Sequence, residues 1–270
     1  MHRNVPAELV DVKPWDWPFL KLRPLPTFLI AGVMKSGTTS LYYYLREHPE
    51  TIHARKKAPH FFNKRFEKGL NWYRRQFPIV PPPLWTKNPL VFEASASYFT
   101  SPEAPERIAR LIPRVKIAAI LRSPTDRAVS HYQHNLLMGR EPLSFAEAIE
   151  QELKGSRVFN STHYTTYKDF FFGYLSQGRY IEHLVHWLKF FPREALIIIR
   201  AEDYFSSPGE VFAELLEFLE LSPWAPERFE VQNASPNYPN IDASMRDLLQ
   251  NYFDPYNQKL YQSLGRDFEW

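Results

Sequence analysis

Nine residues, Gly32-Val33-Met34-Lys35-Ser36-Gly37-Thr38-Thr39-Ser40, bring together two glycines, a lysine and four hydroxyls. The glycines keep the spacing of the phosphate loop G-x-x-x-x-G-K-[ST], yet Thr38 stands at the lysine position and Lys35 lies inside the loop. A turn of this kind aims backbone N–H groups and a helix N-terminus at one point, which favours an anion. The hydroxyls of Thr38, Thr39 and Ser40 can add hydrogen bonds to the same oxygens. The plainer alternative, a glycine-bearing turn with Lys35 solvated, leaves the whole cluster without a purpose.

A second basic position follows the apolar run Val115 to Leu121, which ends in Arg122. A magnesium-nucleotide kinase needs an aspartate at such a strand end. No apolar run here ends in Asp, so the pair Lys35 and Arg122 suits a metal-free anionic ligand. Beyond Arg122, the residues Arg127, Ser130 and His134 share a helix face by their i, i+3, i+7 spacing. For Arg127 and His134 a solvated face is the expectation. His53, Arg55, Lys56, Lys57 and His60 form a basic stretch that acidic saccharides would suit, although a charge run is usually a solvated face. Glu93, at the end of another apolar stretch, is read either as orienting an acceptor hydroxyl or as a salt-bridge partner.

The elements that must hold these residues alternate in type. Thr27 to Ala31 reads as a strand, Thr38 to His48 as a helix, and Val115 to Leu121 and Ala195 to Ile199 as further buried strands. Helices are expected from Ser101-Pro102 to Leu111, from Ser123-Pro124 to Met138, from Ser144, over Arg179 to Phe190 and over Gly209 to Leu219. Pro255 is expected to break the C-terminal helical region in two. Strands and helices in alternation imply a mainly parallel α/β sheet flanked by helices. Residues 1–25 carry four prolines and read as an irregular arm packed by Trp15, Trp17 and Phe19; Pro81 to Pro83 reads as a rigid surface connection, and Lys154 to Phe172 as a substrate-side loop. Of Trp72, Tyr73, Phe99, Tyr132, Phe171, Phe172 and Tyr174, most are expected in the core, with a few stacking on adenine or sugar.

With 44% hydrophobic and 16% aromatic residues in 270, the chain can bury a sizeable core as one domain, which excludes a disordered protein. Thirty-three basic against 30 acidic residues are too balanced for a general nucleic-acid binder. The absence of cysteine excludes disulfides, thiolate metal sites and a thiol nucleophile, and fits a reducing compartment. Neither a secretory leader nor an apolar run of membrane-spanning length is expected, so the chain reads as cytoplasmic, with a trimmed lumenal domain as the alternative.

On these residues the chain resembles the sulfotransferases. PTFLIAGVMKSGTTSLYYYLREHPE (26–50) looks like their 5′-phosphosulfate loop and AAILRSPTDRAVSHYQH (118–134) like their 3′-phosphate segment, in the same order and spacing. KAPHFF (57–62), FEASASYFTSPEAPERI (92–108), GRYIEHLVHWLKFFP (178–192) and NQKLYQSLGRDFEW (257–270) extend the resemblance, toward the carbohydrate branch. It implies a P-loop-like three-layer fold and one sulfotransferase domain over 26–270. It also implies transfer of a sulfuryl group from 3′-phosphoadenosine 5′-phosphosulfate (PAPS) to a hydroxyl of a glycosaminoglycan-like, acidic acceptor, with PAP as product and no metal. In members of the family the loop lysine, here Lys35, contacts the leaving phosphate. Ser36, Gly37, Thr38, Thr39 and Ser40 would bind the 5′ end, and Arg122 and Ser130 the 3′-phosphate.

Two positions depart from the family. Ala58 occupies the place of the glutamate general base in K-E-P-H-F-F, and a methyl group accepts no proton. Ala94 replaces the lysine of the E-K-[ST] run of heparan-type members. The segment 231–242 has neither the cysteine nor the basic residues of their C-terminal nucleotide loop. The chain is therefore expected to bind nucleotide yet transfer sulfate poorly, whether through natural loss or an engineered knockout; His60 is the runner-up base, with a structural histidine hydrogen-bonded under the loop as its equal alternative. The alternatives are a nucleotide-binding protein without catalysis, a P-loop kinase, or a sulfotransferase with a non-carbohydrate acceptor.

Overall fold

The computed structural model describes residues 17–80, 89–156, 172–232 and 241–270, so Trp15, the proline run at 81–83, Phe171 and most of the Lys154 to Phe172 stretch lie outside it. Five strands, β1 (Phe28–Gly32), β2 (Thr51–His53), β3 (Leu90–Ala94), β4 (Lys116–Leu121) and β5 (Leu196–Arg200), form one parallel sheet in the order β2-β3-β1-β4-β5. The chain leaves β1 toward β2 on one side and later returns to β4 on the other. The carboxyl end of β1 therefore lies at the switch of direction, where open α/β sheets bind ligands.

Both faces of the sheet are covered, which is why β1 and the buried part of β4 are continuous apolar runs. Along β1, Leu29 and Ala31 enter one core cluster while Phe28 and Ile30 enter the other, as the two-residue period of a strand requires. β4 divides in the same way, with Ile117, Ala119 and Leu121 on one face and Ala118 and Ile120 opposite. The first face is closed by α3 (Phe61–Lys64), α4 (Gly69–Arg74), α5 (Ala104–Leu111) and α8 (Tyr180–Trp187). The second is closed by α2 (Thr38–Glu47), α9 (Ala201–Ser206) and α10 (Pro208–Leu219). This is the three-layer α/β arrangement expected from the sequence.

Four expectations about local structure change. The described part of the arm contains a helical turn, α1 (Trp17–Leu20), and docks through buried Leu20 and through Arg23, whose Nη1 donates to the Phe77 carbonyl at 2.5 Å, whereas Phe19 is exposed. Helix α5 starts three residues after Ser101, because Pro105 and not Pro102 takes the first-turn position. Pro255 does not divide the C-terminal helix: α11 (Ala243–Leu264) runs through it. Leu249 and Phe253 before the proline, and Leu260 and Tyr261 after it, are all buried in packed clusters, so tertiary burial outweighs the one lost backbone bond. Arg127, on α6 (Pro124–Leu137), is 0% exposed and is no solvated residue. Its guanidinium donates to the Tyr174 carbonyl and lies 3.4 Å from His131 Nδ1, pinning α6 to the segment before α8.

β3 carries an acid into this interior. Glu93 is 0% exposed and is held by three hydroxyls: Tyr98 at 2.8 Å and Tyr73 at 3.1 Å on Oε1, and Ser95 at 2.8 Å on Oε2. Sealed in this cage, its carboxyl is in no salt bridge among the described residues and is not exposed to an acceptor, unlike either sequence reading. Burial, opposed by these hydrogen bonds, pushes it up to about 7. Between the ordinary carboxylate range near pH 4.5 and about pH 7 the unfolded chain has released this proton and the folded chain has not, so stability falls as pH rises through that window. Glu93→Gln mimics the protonated form. It is expected to equal the parent in urea unfolding at pH 4.5 and to exceed it at pH 8, by up to about 3 kcal/mol. Parallel stability curves for the two proteins would show that Glu93 is not held protonated.

Candidate active site

β1 ends at Gly32 and α2 begins at Thr38, so the loop lysine has five residues in which to turn over the strand end. Lys35 takes a left-handed backbone conformation (φ 71°) and Gly37, the N-cap, another (φ 92°). A Cβ on Gly37 would meet Phe205 Cε1 at 2.9 Å and Tyr204 Cε1 at 3.0 Å, so glycine is required on both counts. Gly32 is confined as well, by Phe99 Cβ at 2.5 Å from an added Cβ. No side chain caps α2, which leaves its first-turn N–H groups directed into the loop.

The hydroxyls around this helix end differ. Ser36 is buried, and its Oγ has no hydrogen-bond partner among the described residues. Thr38 is buried, while Thr39 is partly exposed and its Oγ1 accepts from Lys57 Nζ at 2.5 Å. Ser40 faces the other way: its Oγ accepts from the Gln232 backbone N–H at 2.9 Å. Of the four, Thr39 and Ser40 are thus already engaged by the fold, and Ser36 is without a partner among the described residues.

Cations converge on the same helix end. Arg122, at the carboxyl end of β4, donates from Nη1 to the Lys35 carbonyl at 3.1 Å, and its own carbonyl accepts from Tyr180 at 2.8 Å. Burial first, and the Arg122 charge second, hold the Lys35 ammonium below the usual lysine range. His134 is half-buried and is lowered by burial and then by Lys35, so this face of α6 looks toward the loop and not into open solvent. Ser130, buried, lies on that face between Arg127 and His134. The sequence expectation for His134 is thus corrected along with that for Arg127.

The segment 57–62 crosses the sheet's carboxyl edge beside β3, where Ala94 N donates to the Lys57 carbonyl at 3.0 Å. Ala58 is partly exposed there. His60 has φ 52°, donates its backbone N–H to Ser95 Oγ at 3.0 Å and holds Nδ1 3.0 Å from Ser97 Oγ, which also accepts from Asn63 at 2.9 Å. Burial, followed by the charges of Lys64, Arg65 and Lys57, pushes its imidazole down to about 3. It is neutral at physiological pH and weakly basic.

Lys57 is the residue the sequence reading passes over. Within the basic stretch Arg55 and Lys56 are exposed, as a charge run predicts, but Lys57 is partly buried and its ammonium is pushed by burial down to about 8. The usable signal is its neighbour set: Pro59, Phe61 and Phe62 are buried anchors that fix where residue 57 must point. Of the aromatic candidates, Tyr73, Phe99, Tyr132 and Tyr174 are core residues. Among the described residues no group of three acidic or histidine side chains is gathered for a metal, and no helix is long and apolar enough to cross a membrane. A polar cavity of about 230 Å³ beside the start of α6 is lined by Ser123, Thr125, Glu202 and Arg246 among others, but by none of the loop residues 32–40.

The arrangement joins a helix end, a buried hydroxyl and several cations, features that suit an anion. A family description, Sulfotransferase domain, matches residues 25–243. The membrane-associated sulfotransferase kil1 of Dictyostelium discoideum is 28% identical, over 93% of this chain and 67% of its own length. Human heparan sulfate glucosamine 3-O-sulfotransferase 6 is also 28% identical, over 92% of this chain and 74% of its own. The solved structure of a sulfotransferase from Alicyclobacillus acidocaldarius superposes with a TM-score of 0.74 at 27% identity, covering 90% of this chain and 97% of that one. With the family match extending over most of its length and the same fold in that relative, this chain belongs to the sulfotransferase family.

Proposed function

We propose that residues 26–270 form one sulfotransferase domain that moves a sulfuryl group from PAPS to a hydroxyl of an acidic, glycosaminoglycan-like saccharide, in a cytoplasmic setting. The observation that carries the reading is the convergence of Lys35, Arg122 and the uncapped end of α2 at the switch of the sheet. The residues fit an anionic donor: Ser36 Oγ is buried without a partner among the described residues, and burial, then the Arg122 charge, lowers the proton affinity of Lys35. By the family pattern Lys35, Ser36, Gly37, Thr38 and Thr39 take the 5′ end, and Arg122 and Ser130 the 3′-phosphate. Ser40 would support the loop through Gln232. The saccharide acceptor is favoured by the heparan sulfate relative, and the reducing compartment by the lack of cysteine.

Bound there, the donor supplies the sulfuryl group: a bond from the acceptor oxygen to sulfur forms while the sulfur–oxygen bond to the 5′-phosphate breaks, its electron pair leaving with PAP. Charge then grows on the leaving oxygen, where a fixed ammonium has its largest effect. Lys35 occupies that role. The donor set is cationic and acid-poor, so the neutralisation is assigned to the chain's own side chains and not to a metal. The acceptor's proton must still go to a base. Ala58 provides none, and His60, pushed down to about 3, accepts protons weakly. This favours a second reading, a PAPS-binding protein with little turnover, which a transfer assay separates from the first.

PAP is expected to raise the melting temperature in the presence of a chelator, since it binds the folded chain alone, where the loop and Arg122 are brought together. Arg122→Ala removes most of the shift by taking away the forked partner of the 3′-phosphate. If that variant shifts as much as the parent, Arg122 does not hold the phosphate.

Installing a carboxylate with Ala58→Glu is expected to raise sulfate transfer to glycosaminoglycan acceptors by about 10²–10⁴ at saturating donor, the usual contribution of a positioned base. Donor affinity should change little. No rise, together with loss of the parent's activity in His60→Ala, would make histidine the working base and overturn the lost-base reading.

A further inference from the structure

From the contact between the 57–62 segment and α2, we infer that Lys57 is a second lysine for the donor's 5′ end, held on the first turn of α2 through Thr39 and acting beside Lys35. The inference rests on the proposed donor site and adds to it a residue from a different part of the fold. Lys57 Nζ donates to Thr39 Oγ1 at 2.5 Å. Thr39 is the second residue of α2, so the ammonium sits against the turn whose N–H groups are left for an anion. Among the described residues no carboxylate pairs with Lys57. Its reach is fixed from behind, because its carbonyl accepts from Ala94 at the end of β3 and the next residues, Pro59, Phe61 and Phe62, are buried.

A structural lysine in such a place would neutralise an acid, and the nearest acid on β3, Glu93, is enclosed by its own three hydroxyls. Lys57 therefore contributes an uncompensated positive charge to the loop. Burial pushes this ammonium down to about 8, which marks a site that favours an incoming anion. An anion beside Lys57 restores its proton affinity, so Lys57 stays charged in the complex and stabilises negative charge; it does not replace the base missing at Ala58.

The test uses binding, and so does not depend on turnover. Calorimetric titrations compare PAP, which carries the 5′-phosphate, with adenosine 3′-monophosphate, which lacks it, on the parent chain, Lys57→Met and Lys57→Arg. Lys57→Met is expected to weaken PAP by roughly 10–100-fold, the effect of one charged hydrogen bond, while leaving adenosine 3′-monophosphate unchanged. Lys57→Arg should recover part of the loss. If Lys57→Met does not fold, Lys57→Gln, which keeps a donor to Thr39 without the charge, is read by the same criterion. Equal loss for both nucleotides would assign Lys57 a structural role and overturn the inference, as would PAP affinity equal to the parent's. Failure of the parent itself to bind PAP would instead remove the donor-site reading on which the inference stands.

Discussion

Everything at the candidate site depends on β1 being the strand at which the sheet changes direction. Because β2 and β3 lie on one side of it and β4 and β5 on the other, the loop after β1 opens at the carboxyl edge with room above it. Gly37 in the left-handed region then starts α2 with no side-chain cap, and the first-turn N–H groups are left for a ligand. The neighbouring strands deliver charges to the same edge: Arg122 directly follows β4, and the segment beside β3 carries Lys57. A helix end alone is a weak anion site. Cations brought by separate strands add to the attraction that it would offer an anion.

The electrostatic balance at this edge also bears on Glu93. Glu93 is close in sequence to the edge of β3, and as a free carboxylate it would cancel one of the cations. Its enclosure by Tyr73, Tyr98 and Ser95, with burial raising it to about 7, reduces that cancellation near neutral pH. Ser95 does double work, since its Oγ donates to Glu93 and accepts from the His60 backbone, tying the cage to the 57–62 segment. Positive charge on the loop and the neutral tendency of Glu93 are thus two results of one packing arrangement.

What the sequence makes legible follows from how locally each feature is determined. β1, β4 and β5 are continuous apolar runs because both faces of a parallel sheet are covered, and the phosphate loop is readable because glycine spacing is a backbone requirement. β2 has one apolar residue in three, Ile52, and presents no run to read. The course of α11 through Pro255 depends on clusters contributed by distant segments, as does the burial of Arg127 against the Tyr174 carbonyl. Lys57 shows the same limit. Charge-run reasoning applies to Arg55 and Lys56, whereas the fate of the next residue is set by aromatic anchors after it and by Thr39 eighteen residues before it.

The two alanines, Ala58 and Ala94, bear on which part of catalysis this architecture retains. They lie on adjoining backbone, since Ala94 donates to the carbonyl of Lys57 next to Ala58, and neither side chain takes part in the loop's hydrogen bonds. Removing groups there leaves the helix end, Lys35, Lys57 and Arg122 as they are. In the proposed reaction, stabilisation of the leaving oxygen and proton removal from the acceptor are separate contributions, and the first is usually the larger in transfer reactions of this type. A site with its cations in place and its base absent therefore keeps donor recognition and part of the barrier lowering. On the proposed reading it would lose the means of making the acceptor oxygen a better nucleophile, a deficit in acceptor activation and not in donor binding.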